Sequence, residues 1–346
     1  MKKFISLLTI ATLSISLIGC GAGNSNGEDN VSQDSSSNVE SGSSEEGYPV
    51  TITSYSVSSD GSTWEKIEET FEASPERVVC NNQGTAELML RLGLADKIIG
   101  IAAVYGEPAE DIAEEFNKLN VISADYASKE LVLGADPDCV IGRGDLFIDG
   151  DYGIGTVTDL NAIGISTYIT EVGADGANFE SLISDIENLG KIFHVQDKAA
   201  ELAAEYQSLV DSLKNDARWS KKELKMAEIA VVEDGIPTVS ASQTEYFQNE
   251  AFEMIGLPNV FKDFAGSEVS VETLIETNPD VLILFDYEGG PDMDTMINSL
   301  YENESLQNIT AIQEKQIYAL DFNEIYGGSG EIYSAMQELG SLIYGE

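Results

Sequence analysis

The chain has 346 residues, of which 61 are acidic and 18 basic, giving a formal net charge of -43 at pH 7 with a single histidine. Such acidity excludes nucleic acid and anionic lipid surfaces as partners, and one histidine excludes a pocket that grips bare zinc or manganese through several imidazoles. Apolar residues make up 42% of the chain, enough over about 300 residues for two domains that each bury a core.

Met1, Lys2 and Lys3 precede an apolar stretch over 4–18 that ends in Leu17-Ile18-Gly19-Cys20. A charged start, a short apolar run and a small-residue junction predict a signal peptide over 1–19. The run is shorter than the roughly 20 residues of a membrane span. The junction resembles the lipobox of bacterial lipoproteins, which implies lipid on Cys20 and a protein anchored on the outer side of the cell membrane. Residues 21–47 are largely Ser, Asn, Gly, Asp and Glu; they cannot bury enough surface to offset ordering entropy and predict a tether over 20–50.

An N-terminal lobe is expected over 51–193, with strands at 77–80, 97–102, 139–142 and 166–170 and a helix at 85–94. Short apolar strands separated by helices predict a parallel sheet covered on both faces. Cys80 and Cys139 fall near opposite ends of their strands, a stagger beyond the roughly 7 Å that a disulfide spans, so both are expected free and buried. Residues 197–216 carry Ala199, Leu202, Ala203, Tyr206, Leu209, Val210 and Leu213 near the 3.6-residue period. They predict a rod of about 30 Å, read as a linker helix within 194–217. The alternation then restarts in a C-terminal lobe over 218–346, with strands at 228–232, 281–285 and 316–320 and a helix at 246–255. Glu130, Leu133, Asp136-Pro137-Asp138 before one strand and Glu272, Ile275, Asn278-Pro279-Asp280 before another recur at the same offsets. Leu92-Gly93-Leu94 and Ile255-Gly256-Leu257 each close a helix. These repeats argue for two similar lobes.

The ordered set Ser74-Pro75-Glu76-Arg77-Val78-Val79, Gln83-Gly84-Thr85-Ala86-Glu87-Leu88, Ala135-Asp136-Pro137-Asp138, Glu253-Met254-Ile255-Gly256-Leu257-Pro258-Asn259 and Asn278-Pro279-Asp280-Val281 resembles the solute-binding proteins of iron-siderophore, haem and cobalamin importers. The resemblance covers about residues 70–345. It implies an α/β fold of two Rossmann-like lobes with central parallel sheets joined by a single long helix. It further implies a monomer without cofactor or catalysis that delivers a metal chelate or corrinoid to ABC permease subunits. A glutamate on each lobe docks the permease in that family, and the matching positions are Glu87 and Glu253.

In open parallel sheets ligands lie beyond the carboxyl ends of the strands. That rule selects loops carrying Asn82, Gln83, Tyr105, Arg143, Asp145, Phe147, Tyr246, Tyr287 and Tyr326 as candidate ligand contacts, a lining of rings and amides suited to a bulky chelate or macrocycle. Two readings of Arg143 stay open: a planar contact to a ligand oxygen, or an ion pair with Asp145 or a nearby glutamate. Each tyrosine, Tyr126 included, is either a ligand contact or lobe packing. With Arg143 the one evident cleft cation, a highly anionic catecholate is disfavoured and a ferric hydroxamate, a corrinoid or haem remains. Tyr326-Gly327-Gly328-Ser329-Gly330-Glu331 lacks the basic residue often found there in the family. The acidic runs at 149–153 and 286–294 lack the twelve-residue calcium-loop spacing. No Gly-x-Ser-x-Gly elbow or Gly-x-Gly-x-x-Gly fingerprint supports an enzyme. An exported enzyme on the same scaffold and a calcium-dependent adhesin are the competing classes.

Overall fold

Alternating polar and apolar residues build the first element, an antiparallel hairpin of β1 (Val50–Val57) and β2 (Trp64–Phe71), paired from Val50 opposite Phe71 to Val57 opposite Trp64. The Asp60 carboxylate knots its turn by accepting from the Ser58 and Ser62 hydroxyls, both at 2.7 Å, and from the Ser62 amide; these bonds hold its carboxyl down at about 2. The structure, a computed structural model, describes residues 46–219 and 222–345, so the expected signal peptide, Cys20 and most of the expected tether lie outside the described residues. The tether expectation ran to residue 50, yet Tyr48 is already buried, with its ring stacked on His194 at 4.4 Å.

The N-terminal lobe centres on a four-stranded parallel sheet. In chain order its elements are β3 (Val78–Cys80), α1 (Gln83–Arg91), β4 (Ile98–Ile101), α2 (Ala113–Phe116), α3 (Lys129–Gly134), β5 (Cys139–Gly142), α4 (Val157–Ala162), β6 (Ser166–Ile169) and α5 (Phe179–Ile192), with strand order β4-β3-β5-β6. Val78 lies opposite Cys139 and Cys80 opposite Ile141, so the two cysteines are staggered by register. Both are free and buried, and burial pushes both thiols above their ordinary range. The hairpin joins neither large sheet. Its side chains cover the free edge of β6 instead: Ser54 Oγ accepts from the Ile169 amide at 3.1 Å and Glu69 Oε1 from the Thr167 amide at 3.4 Å. Those alternate amides face away from β5 and would otherwise be a buried, unpaired edge.

Helix α6 (Gln196–Asn215) turns Ala199, Leu202, Tyr206, Val210 and Leu213 inward. It packs on α5 and on the final helix, and so connects the two halves. The C-terminal lobe follows with β7 (Met226–Glu233), β8 (Ile236–Ser240), α7 (Tyr246–Met254), β9 (Glu268–Val269), α8 (Val271–Thr277), β10 (Val281–Asp286), α9 (Met293–Glu302), α10 (Thr310–Gln313), β11 (Ile317–Asp321), α11 (Phe322–Tyr326) and α12 (Glu331–Tyr344). Its sheet order is β11-β10-β7-β8-β9. The first three strands, those expected from the sequence, are parallel, and β8 and β9, which the sequence reading did not include, add to them antiparallel. The cause is local: Asp234 and Gly235 both take positive φ and form the tight turn that folds β8 back on β7.

The internal repeats have physical causes. Asp136 and Asn278 both adopt left-handed φ, 58° and 50°, to end their helices. Asp138 then accepts from the Glu76 and Arg77 amides at 2.9 Å each, and Asp280 from the Lys225 amide at 3.1 Å. Each aspartate thus ties the start of its own strand to that of the neighbouring one. Gly93 and Gly256, at φ 73° and 67°, close α1 and α7 in the same way: the following Leu94 and Leu257 amides donate back to Met89 and Phe252.

Candidate ligand-binding cleft

The lobes meet first along a seam beside α6. Asn82 Nδ2 donates to the Gly327 carbonyl at 3.0 Å, and the Glu288 amide to the Tyr105 carbonyl at 2.8 Å. Gly84 faces Gly327 so closely that a Cβ would lie 2.0 Å from its carbonyl oxygen, so only glycine permits this approach. Glu87 is fully buried there, and its Oε1 accepts from Gln83 Nε2 and from Asn323 Nδ2, both at 2.9 Å. Burial pushes its carboxyl up to about 7, against the opposing pull of its hydrogen bonds. Arg91 pairs with Glu331 at 2.6 Å across the seam, while Tyr206 on α6 donates to the Ser329 carbonyl at 2.7 Å. Rings continue the contact, with Tyr105 against Tyr126 at 5.7 Å and against Phe322 at 5.9 Å, and Phe322 stacked on Tyr326 at 4.9 Å.

Beyond the seam a cleft of about 750 Å³ opens between the lobes. Its N-lobe wall takes Tyr55, Trp64 and Lys66 from the hairpin, Arg143 and Asp145 from the end of β5, and the loop over 172–175. The Arg143 backbone is clamped by Asn81, whose amide donates to the Arg143 carbonyl at 2.9 Å and whose Oδ1 accepts from its N–H at 2.8 Å. Its guanidinium grips Asp145 through two bonds, at 3.1 and 2.6 Å. Of the two open readings of Arg143, the ion pair is therefore formed. Lys66 stands 5.5 Å over the Tyr55 ring and 3.7 Å from Glu171. The loop is pinned from behind by buried Asp185, which accepts from the Glu171 and Val172 amides at 2.7 and 3.1 Å and from the Tyr168 hydroxyl at 2.6 Å. Burial raises that carboxyl to about 7 despite its donors. The C-lobe wall is Glu245, Tyr246 and Phe247 at the start of α7, together with Tyr326.

Arg143, Asp145, Tyr246 and Tyr326 thus come together around one cleft. Asn82, Gln83 and Tyr105 lie in the seam instead, and Tyr287 flanks it at 6.2 Å from Phe322. Phe147 is a correction: it is fully buried among Val79, Val140 and Ile169 in the N-lobe core and reaches no ligand. Glu87 is a second correction, since a fully buried carboxylate cannot meet a partner's arginines. Glu253 is exposed but already paired with Lys262. Among the described residues no group of three or more His, Cys, Asp or Glu side chains is placed to hold a metal ion, including the runs at 149–153 and 286–294. Sequence reasoning missed Tyr55, Trp64 and Lys66, although the period-two alternation flanking Asp60-Gly61 is a hairpin signal. Glu245 lies in the loop 243–247 that the strand-end rule selects, but it has no motif of its own and only Tyr246 was singled out there.

The periplasmic binding protein family matches residues 78–324, from the start of β3 into α11. The ABC transporter substrate-binding lipoprotein YvrC of Bacillus subtilis is 22% identical over 278 residues, covering 80% of this chain and 82% of that protein. The petrobactin-binding protein YclQ of the same organism is 25% identical over 269 residues, covering 76% and 80%. A periplasmic binding protein from Veillonella parvula superposes with a TM-score of 0.74 at 27% identity, covering 87% of this chain and 99% of that one. Two helix-joined lobes, a cleft between them and a family match over most of the chain agree: the chain belongs to the periplasmic binding protein family.

Proposed function

We propose that this chain is the solute-binding component of an ABC importer, capturing an iron(III)-siderophore-type chelate in the inter-lobe cleft and handing it to a permease. The observation that carries this is the cleft itself, about 750 Å³ between two lobes with aromatic faces from both, the size and chemistry of a small-molecule site. The name of YvrC supports the transport role, and that of a further relative, the Fe(3+)-citrate-binding protein YfmC of Bacillus subtilis, supports an iron chelate as cargo. A corrinoid or haem held in the same cleft is the alternative. No helix among the described residues is long and apolar enough to cross a membrane, and lipid on Cys20 would hold the protein outside the cell as a tethered monomer. Delivery needs no covalent step, so no enzyme activity is assigned.

Docking is reassigned to Glu130 and Glu272. They occupy equivalent positions in the internal repeat, one per lobe, and both are exposed. Each is the second residue of a helix capped by a serine, Ser128 accepting from the Leu131 amide and Ser270 from the Thr273 amide. A helix that leads into a parallel strand starts at the edge where the strands end, so both carboxylates flank the cleft side of their lobes. Exposed charges so placed steer and orient a partner. A Glu130→Ala, Glu272→Ala double variant should bind ligand normally and lose most uptake in cells; full uptake would refute the assignment.

The ligand class is tested by fluorescence titration. Trp64 in the cleft wall is the reporter, whereas Trp219 packs on Tyr344 away from it. A ferric trihydroxamate, cobalamin and haem are the probes. Saturable quenching by the ferric complex is expected, and silence to all three would sink the reading.

A further inference from the structure

Two carboxyl groups lie together on the C-lobe side of the cleft, Glu245 lining it and Glu228 buried behind it. Glu228, on β7, is fully buried, and Glu245 is the residue that starts α7. Glu228 Oε2 accepts from the Ser242 hydroxyl at 3.1 Å, and that hydroxyl accepts from Asn259 Nδ2 at 2.9 Å. The other oxygens, Glu228 Oε1 and Glu245 Oε2, are both buried and neither receives a hydrogen bond. Carboxylates are acceptors only, so two that face each other need a proton or a cation between them. Burial first, and then the charge of Glu245, push the Glu228 carboxyl well above its ordinary range.

Among the described residues no lysine or arginine forms an ion pair with either glutamate, whereas the two cations of the cleft have other acids: Arg143 has Asp145 and Lys66 has Glu171. The cleft lining holds Lys66 and Arg143 against Asp145, Asp175 and Glu245, so the space a ligand enters is net negative. A half-buried charge without a counter-ion is costly, and the cost falls when a cation arrives. Tyr246 and Tyr326 add two ring faces beside Glu245, and the Tyr326 hydroxyl lies close to both carboxyls.

We propose that the Glu228–Glu245 pair and the rings of Tyr246 and Tyr326 form a recognition site for a protonated amine, so that the captured chelate bears a pendant ammonium group. The inference rests on the cleft being the chelate site and narrows its ligand to one that is cationic at that point. The ammonium donates to the Glu245 carboxyl and lies against the tyrosine faces, while Glu228 stays buried behind it, held by the Ser242 hydroxyl. An anionic chelate is disfavoured by the same charge.

Two ferric trihydroxamates that differ in one group test this with the full-length protein: ferric desferrioxamine B, with its free terminal amine, and its N-acetylated form. The amine form should bind about 10–100-fold more tightly, the range of a charge-assisted hydrogen bond, and Glu245→Gln should bring the ratio of the two affinities close to one. Equal affinities in the unmodified protein would overturn the inference and leave the import reading standing. A preference that survives Glu245→Gln would overturn it too. Binding of neither form would overturn the chelate reading itself, and the inference with it.

Discussion

The seam and the C-lobe side of the cleft both bury carboxylates, Glu87 within α1 and Glu228 on β7, yet they treat them differently. At the seam Glu87 receives amide donors from Gln83 and Asn323, and the neighbouring Glu331 receives Arg91. Behind the cleft wall Glu228 accepts from the Ser242 hydroxyl, with the Tyr326 hydroxyl close by, and no cation pairs with it or with Glu245 among the described residues. Burial is the common cost, and what differs is whether the protein supplies the compensating groups itself. Where it does, the carboxylates lock one lobe to the other. Where it does not, the charge is left for something that enters.

Removing the cation from the seam breaks this comparison most severely. Arg91→Ala leaves Glu331, whose side chain is 15% exposed, without its partner, and should lower the stability of the chain by about 3–5 kcal/mol, as for other severed buried pairs. Denaturant unfolding measures it; a loss below about 1 kcal/mol would mean that the seam does not hold the lobes. Glu87→Gln sharpens the contrast more gently. A carboxyl raised from 4.5 to about 7 costs nothing below its ordinary value and its full penalty above about 7, so stability is lost as pH rises through that window. Glutamine keeps the acceptor for Gln83 and Asn323 and has no charge to bury. Unfolding midpoints at pH 5 and pH 8 should therefore differ less in Glu87→Gln than in the parent, by up to about 3 kcal/mol. Some slope will persist, because Asp185 is raised to about 7 as well. Identical slopes would show that Glu87 is not desolvated.

The parallel strands of both lobes were legible because each is a short apolar run between helix-ending signals, as at Cys139–Gly142, where expectation and structure coincide. The Asx-Pro-Asp repeat was legible for the same reason: its turn and its strand-tying hydrogen bonds are local chemistry. Glu87 was not, because a mid-helix glutamate reads as surface until Asn323, 236 residues away, is known to face it. Phe147 failed in the opposite direction. It follows a strand end, where ligands gather, but a turn of backbone sends its ring into the core. The cleft walls depended on the hairpin, whose alternation is plain in Val50–Val57 but lies next to a segment read as tether.

That hairpin is bonded to the N-lobe through side chains rather than through strand pairing, and it lies before residue 78, where the family match begins. It nevertheless supplies Tyr55, Trp64 and Lys66 to the cleft. A wall mounted in this way can be exchanged by mutation or engineering without disturbing the hydrogen-bond ladder of either sheet. Ligand preference in this chain can thus diversify through a cheap, detachable part while the transport scaffold stays constant.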